Sequence, residues 1–318
     1  LSMKQTQAFL STYTADVSGV CSALFELGGM TVMHDASGCN STYHTHDEPR
    51  WYDMDSLVFI SGLSELEAVM GDDEKLISDV SDAARQLHPR FIALAGTPIP
   101  MITGCDLPAI AREVEGRTNI PSFAVPSNGI GTYVAGAGQA LRLYAERFIT
   151  SRPEKRKNAV NILGATPLDF SVNGCVQSMA RRLEEAGFTL QSVFAMSSSI
   201  DAIDKAGAAE ANLVISSVGL PAAKYLQAQF GTPYVIGAPF GDFFSPYVFD
   251  ALRESIRTGA PADVLGTFAQ DAPDTAIVGE SVTAKSLAAA LAVGYGIGAR
   301  VICPVEAPDG VLGACDLQ

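Results

Sequence analysis

The sequence is short of positive charge. Its 318 residues hold 21 Lys plus Arg against 35 Asp plus Glu, which gives a formal net charge of −14. A nucleic-acid backbone or an anionic lipid surface repels such a chain, so neither nucleic acid nor a membrane is an expected partner. The sequence also lacks an apolar run near the roughly 20 residues of a bilayer span, and its first residues have no apolar signal core. We therefore expect a cytoplasmic protein.

Two nucleotide-binding motifs are missing as well. No G-x-x-x-x-G-K followed by Ser or Thr occurs, so the chain is not expected to hydrolyse ATP itself. Gly129-Ile130-Gly131, followed by Gly136 and Gly138, resembles a dinucleotide loop. However, the G-x-G-x-x-G spacing fails and no acidic residue sits on a following strand, which argues against NAD.

Histidine is scarce, at four residues, and cysteine amounts to six. His44 and His46, beside Asp47 and Glu48, have no further partner at helical spacing, so a polar loop is favoured over a metal cluster. In a chain of this size six cysteines do not indicate a disulfide framework. Three of them show no ligand spacing and are expected to be small buried side chains: Cys175, Cys303 and Cys315.

What the sequence does have is the composition of a large globular core, with 47% hydrophobic and 18% charged residues. Short apolar segments alternate with amphipathic stretches, which predicts repeated βαβ units. The expected fold class is α/β, with two to three doubly wound parallel-sheet, Rossmann-like domains. Predicted strands are 30–34, 57–60, 90–95, 122–125, 159–163, 190–195, 212–216, 234–237, 275–278 and 300–303. Predicted helices include 72–87 and 174–186.

Domain boundaries are predicted where charged, Pro-bearing or Gly-bearing segments interrupt this alternation. The run 151–158 ends a first domain at 1–153, and the weakly periodic stretch 259–274 ends a second at 154–262. Residues 263–318 then start a third α/β domain. Two strands and a helix cannot form a layer alone, so this end either packs onto the second domain or belongs to a domain that the sequence leaves incomplete.

The most informative feature is the pair Cys21 and Cys39. An apolar segment, 24–33, separates them and is long enough for one helix-to-strand step. Both sulfurs can then lie at neighbouring loop ends on one face of a sheet, an arrangement that suits a metal centre.

The residues around this pair resemble the nitrogenase component 1 family. His34-Asp35-Ala36-Ser37-Gly38-Cys39 is similar to the family's H-G-P-x-G-C element. The segment 61–77 resembles its acidic V-F-G-G-E-x-K-L segment, 102–110 its L-I-G-D-D-I turn, and 222–234 its A-x-x-L-x-x-x-F-G-I/T-P signature. The family includes nitrogenase subunits, cofactor-assembly scaffolds, dark-operative protochlorophyllide and chlorophyllide reductases, and the cyclase of coenzyme F430 synthesis.

The resemblance implies cluster ligands. Cys21 and Cys39 match the first two family cysteines, whereas the third falls at Pro98, which cannot ligate a metal. Cys105, seven positions later, is a candidate substitute metal ligand or otherwise packs. Two cysteines from each of two chains supply the four thiolates of one 4Fe-4S cluster shared between subunits. Asp35, in place of a small residue, is expected to accept hydrogen bonds from a loop or to influence the cluster potential.

The resemblance also bears on substrate and partners. The cysteine that holds the nitrogenase cofactor in the second domain corresponds to a serine at the end of Leu213-Val214-Ile215-Ser216-Ser217, so dinitrogen reduction is not expected. Cys175 is a separate candidate for a substrate cavity or a packing residue. Expected partners are a second copy or a homologous subunit, and a P-loop iron–sulfur reductase that delivers electrons coupled to ATP.

Three functions remain open at this point. The first is a reductase component acting on an unsaturated substrate, for which no catalytic residue can be named. The second is a non-catalytic scaffold or carrier for a metallocofactor. The third is a small-molecule-binding α/β protein that has lost the cluster site.

Overall fold

A computed structural model describes residues 14–36, 38, 48–268, 275–314 and 316–318. Within this part the chain divides into two compact units. The first covers 14–143, and the second contains the chain from 144 onward. The division falls inside one helix, α6 (Tyr133–Phe148).

The first unit is built on a four-stranded parallel sheet. Its strands are β1 (Met30–His34), β2 (Leu57–Ile60), β3 (Ile92–Gly96) and β4 (Ser122–Val125), in the order β2-β1-β3-β4. The register pairs Met30 with both Leu57 and Ile92. All four strands were predicted from apolar runs, three with these bounds, and the parallel α/β fold class is confirmed.

Helices cover both faces of this sheet. They are α1 (Asp16–Leu24), α2 (Glu65–Met70), α3 (Asp73–Leu87), α4 (Pro98–Thr103) and α5 (Leu107–Thr118). Helices α3 and α5 are each preceded by a capping aspartate, Asp72 and Asp106 respectively, whose side chain accepts a backbone N–H of the first turn. Such caps satisfy amide groups that have no partner within the helix.

The side chains of alternate strand residues decide which helix lies on which face. Met30, Val32 and Leu94 join the buried side chains of α3 and α5 in one core cluster. Helix α1 also contacts β1 and β3, yet none of its buried side chains belongs to this cluster. Because neighbouring strand residues point to opposite faces, α1 lies on the other side of the sheet.

The second unit contains a five-stranded parallel sheet in the order β6-β5-β7-β8-β9. The strands are β5 (Ala159–Leu163), β6 (Thr189–Val193), β7 (Ala211–Val214), β8 (Tyr234–Ile236) and β9 (Ala262–Asp263). The helices are α7 (Pro167–Phe170), α8 (Cys175–Glu185), α9 (Ile200–Asp204), α10 (Leu220–Phe230) and α11 (Gly241–Thr258). Strand β9 was not predicted, because two residues form no apolar run.

The last section pairs β10 (Thr275–Val278) with β11 (Ala299–Ile302) in parallel, connected by α12 (Ser281–Tyr295). Helix α12 packs against α11. The buried pair Lys285 and Asp316, with 2.8 Å between Nζ and Oδ2, ties α12 to the end of the chain. None of the helices in the described residues has the length and apolar character that a membrane crossing requires.

Candidate functional site

In the four-stranded and the five-stranded sheets, successive strands are added toward opposite edges from one pair of adjacent strands. From β1 the chain goes to β2 at one edge, and from β3 to β4 at the other. Strands β5 and β7 have the same relation in the second sheet. The loops that leave such a pair diverge and open a crevice at the carboxyl ends, which is where ligands bind in open α/β sheets.

Polar side chains hold the carboxyl ends of β1 and β3 together. The Thr97 hydroxyl, just after β3, lies 2.9 Å from both the His34 carbonyl oxygen and Asp35 Oδ1. The Asp35 amide donates to Ser61 Oγ beyond the end of β2, at 3.1 Å. The prediction that Asp35 accepts a hydrogen bond from a loop is confirmed. These bonds fix the start of the segment that leads to Cys39.

Cys21 lies in α1 and is completely buried. Burial raises the pKa of its thiol, and the negative charge of Glu48 raises it further. The thiol is therefore protonated at neutral pH unless a positively charged group or metal binds it. Cys39, together with His44 and His46, lies outside the described residues.

A buried ion-pair network sits beside Cys21. The Arg50 guanidinium donates to Glu48 Oε1 and Glu26 Oε1, each at 2.7 Å, and to the Ser22 carbonyl oxygen at 2.8 Å. Ser22 Oγ in turn donates to Glu48 Oε2 at 2.8 Å. Burial alone lowers the pKa of Arg50, but its hydrogen bonds to Glu48 and Glu26 raise it overall.

Sequence reasoning missed this network. Glu48 was interpreted as part of a polar loop, but it is 3% exposed. The only available sequence signal was the short spacing between Glu48 and Arg50. The other partners of Arg50, Ser22 and Glu26, lie more than 20 residues away along the chain. The network joins the residue next to Cys21 to the chain that returns after Cys39.

The glycines that resemble a dinucleotide loop serve close packing. The Asp16 carboxylate, at the start of α1, accepts the amides of Asn128 at 2.9 Å and Gly129 at 2.7 Å. A Cβ on Gly136 would lie 1.9 Å from the Asp16 carbonyl oxygen, so only glycine lets α6 approach α1 this closely. This contact holds the helix that carries Cys21.

Pro98 and Cys105 lie at the two ends of α4. Pro98 is the first residue of that helix, a position that Pro tolerates well. Cys105 follows the helix and packs against the α3 and α5 cluster, on the face of the sheet opposite to α1 and Cys21. Its Sγ is 3.7 Å from Asp73 Oδ1, and burial followed by the Asp73 charge raises its pKa to about 12.

The crevice between β5 and β7 is closed by hydrogen bonds. Ser216 Oγ donates to Asp169 Oδ2 at 2.6 Å, and the Ser217 amide donates to Glu280 Oε1 at 3.0 Å. Ser217 Oγ is buried and has no partner in the described part of the chain.

Cys175 begins α8 and is half-buried. Over the residues that the structure describes, no three His, Cys, Asp or Glu side chains converge in a way that would hold a metal ion.

Comparisons with known proteins agree with this architecture. Residues 17–263, well over half of the chain, match the family model described as nitrogenase component 1 type oxidoreductase. A nitrogenase iron-molybdenum cofactor biosynthesis protein NifE from Methanosarcina barkeri is 29% identical over 196 residues, which are 58% of this chain and 42% of that protein. One chain of the light-independent protochlorophyllide reductase from Nostoc punctiforme is 26% identical over 181 residues, covering 54% of this chain and 36% of that one.

A solved structure, nitrogenase Cp1 at pH 5, aligns with a TM-score of 0.69 at 18% identity. The alignment covers 96% of this chain and 67% of that one. At this identity the likeness concerns the fold. The chain spans less than half the length of the two curated relatives.

Proposed function

Because the chain belongs to the family of nitrogenase component 1 type oxidoreductases, we propose that it is the substrate-reducing component of a nitrogenase-like system. It accepts electrons from an ATP-dependent reductase through an iron–sulfur centre and reduces an unsaturated substrate other than dinitrogen. The observation that carries this proposal is the position of Cys21. It is buried in a helix fixed against β1 and β3, in the same unit as the strand end that leads to Cys39.

Cys21 and Cys39 from each of two chains would hold a 4Fe-4S cluster, and Cys105 would not take part because it lies on the opposite face of the sheet. The donor set suits the group, since thiolates are the usual ligands of such clusters and bound metal stabilises the thiolate form. When bound, the cluster would accept and store single electrons. Cys21 would contribute one ligand from its dry surroundings, and Arg50 offsets the negative charge of Glu48 beside it.

The side chains of the second crevice, between β5 and β7, indicate the class of substrate. By the resemblance, a serine at the end of Leu213-Val214-Ile215-Ser216-Ser217 corresponds to the cysteine that a nitrogenase cofactor needs, and the Ser216 hydroxyl donates to Asp169. A serine hydroxyl is a poor ligand for an iron–sulfur cofactor, because it is protonated at neutral pH. This supports a substrate that is reduced without a second metallocluster on this chain, such as a tetrapyrrole or a small unsaturated molecule.

We further propose that the electron-donating partner docks on α2 and α4. These two helices contact each other and follow the carboxyl ends of β2 and β3. They expose large apolar side chains, with Leu66 at 71%, Val69 at 77%, Met70 at 72% and Ile102 at 78%. An exposed apolar patch of this kind is typical of a protein interface. The partner would supply ATP chemistry that this chain lacks the P-loop to perform.

Iron and acid-labile sulfide analysis of anaerobically reconstituted protein tests the cluster. We expect about four irons per pair of chains, with the visible absorption of thiolate-to-iron charge transfer. A value near eight irons per pair, or no iron after reconstitution, would reject the proposal. Turnover is tested with a P-loop iron–sulfur reductase, ATP and candidate tetrapyrroles.

A second function is favoured by one comparison. The NifE protein of Methanosarcina barkeri, 29% identical to this chain, is named for cofactor biosynthesis. As a scaffold, this chain would bind a metallocluster and release it to another protein without turning over a substrate. Transfer of iron from the loaded chain to an acceptor apoprotein, in the absence of any reductase-dependent turnover, would establish the scaffold instead of the reductase.

A further inference from the structure

A small acidic cavity lies at the carboxyl edge of the first sheet, on the side covered by α3 and α5. Its volume is about 230 Å³, and its walls come from the end of β1, from α2 and from the loops that precede α3 and α5. The side chains that matter for its chemistry are His34, Glu67, Asp72, Asp73, Cys105 and Asp106. It is separate from Cys21, which lies on the other face of the sheet.

The charge of the cavity is negative. Four of its lining residues carry carboxylates and none is a lysine or arginine. Asp72 and Asp106 accept amides of the first turns of α3 and α5, at 3.2 and 2.9 Å, so the positive ends of these helices offset part of their charge. Glu67 lies 3.7 Å from Lys75 Nζ. Within the described part of the chain the Asp73 carboxylate has only the weak donor Cys105 Sγ at 3.7 Å, so its oxygens can accept from a stronger, positively charged donor.

His34 supplies an observation that does not depend on this acidic cluster. The residue is 6% exposed, and its Nδ1 lies 2.8 Å from Ser61 Oγ. Ser61 is not part of the cavity wall, so the opposite edge of the ring, with Nε2, faces the cavity. Nε2 has no hydrogen-bond partner among the described residues. Nε2 is not one of the buried atoms that lack a partner, so it is accessible to a ligand or water that can donate a hydrogen bond to it.

The hydroxyl of Ser61 favours one tautomer. It accepts the Asp35 amide at 3.1 Å and lies 3.3 Å from the Asp35 carbonyl oxygen, to which it can donate. If His34 Nδ1–H donates to Ser61 Oγ, then the ring N–H, the Ser61 hydroxyl and the Asp35 amide all have hydrogen-bond partners. His34 Nε2 is then an acceptor directed into an acidic cavity, and it matches a ligand that brings N–H donors and positive charge.

We propose that this cavity binds a small organic cation with a protonated amine, which donates to the Asp73 carboxylate and to His34 Nε2. A metal ion fits less well, because no three potential ligands converge on one point in the described residues. The volume is below the roughly 300–1,000 Å³ of sites for drug-sized ligands, so the ligand is of amino-acid size. Leu63, 9% exposed, lines the cavity and suits a short alkyl segment.

Titration calorimetry of the full chain with three probes of equal length tests the proposal. Pentylammonium should bind saturably, whereas 1-pentanol and pentanoate should not, because charge decides the selection. This comparison needs no variant and therefore does not depend on the folding of any mutant. Equal binding of all three probes, or binding of zinc chloride without binding of pentylammonium, would overturn the proposal.

A matched pair of variants locates the site. Asp73→Asn should weaken pentylammonium binding at least about tenfold, since it removes a charge-assisted hydrogen bond. Asp82→Asn makes the same change on the same helix, where Asp82 pairs with Arg85 at the surface, and should leave the affinity unchanged. Circular dichroism confirms that both variants fold. Unchanged affinity in Asp73→Asn, or equal loss in both variants, would reject the assignment.

Discussion

The two strand-end crevices arise from the same topology but carry different chemistry. Between β1 and β3 the chain has Asp35 bonded to Thr97 and a completely buried thiol, Cys21, on a helix against the sheet. Between β5 and β7 it has Ser216 bonded to Asp169, and the Ser217 amide bonded to Glu280. Strand order therefore determines where a site can form, and a few side chains determine whether it can hold metal.

The largest difference between the crevices should appear on substitution of cysteine. If Cys21 is the proposed cluster ligand, Cys21→Ser should abolish iron binding, because serine replaces the thiolate with a neutral hydroxyl in a dry site. Cys175→Ser, in the second unit, should retain the full iron content. Iron analysis and anaerobic visible spectra measure both, with gel filtration to verify folding. Equal iron content in the two variants would place the cluster ligands elsewhere.

The second test breaks the ion pairs that stand beside Cys21. Arg50→Met leaves the buried carboxylate of Glu48 without its main partner, and removal of one member of a buried pair costs about 3–5 kcal/mol. Urea unfolding should show this loss of stability. Arg85→Met, which breaks the exposed pair with Asp82, should have little effect. Comparable stability of the two variants would contradict a structural role for the network.

The fold was predictable because its signals are local. Strands β1, β2, β4, β5 and β10 begin and end where the apolar runs do, and β3 and β6 differ by one or two residues. Strand β9 was missed because its two residues pair with Val235 and Ile236 and have no pattern of their own. Its existence depends on a neighbour that sequence periodicity does not reveal.

The site was predictable only in part. Asp35 was expected to be an acceptor because it takes the place of a small residue near Cys39, and the hydrogen bond from Thr97 confirms it. Burial of Glu48 could not be predicted from the sequence, because a charged side chain becomes buried only when its partner is present. That partner, Arg50, is itself held by Glu26 and Ser22. The position of Cys21 and Cys105 on opposite faces of the sheet could be recognised only from the packing of the helices.

A third test compares two buried hydroxyls of the second unit. Ser216→Ala removes the 2.6 Å hydrogen bond to Asp169, and a bond to a charged acceptor is worth about 1.5–3 kcal/mol. Ser255 Oγ is buried and has no partner in the described residues, so Ser255→Ala should be neutral or slightly stabilising. Chemical unfolding of both variants measures the difference. Equal loss would mean that Ser216 and Asp169 do not stabilise the crevice.

The smallest effect is the titration of a histidine, which only the first crevice can show, since all four histidines precede residue 89. Burial lowers the pKa of His34 from 6.5, and the nearby charges of Asp73, Asp35 and Glu67 only partly oppose it. The unfolded chain then binds this proton more readily than the folded one, so stability from His34 is present above pH 6.5 and decreases as the pH falls below it. His34→Gln should therefore flatten the slope of unfolding free energy against pH between about 7 and about 5. An identical slope in the wild-type protein and in His34→Gln would show that burial of His34 does not set this pH dependence.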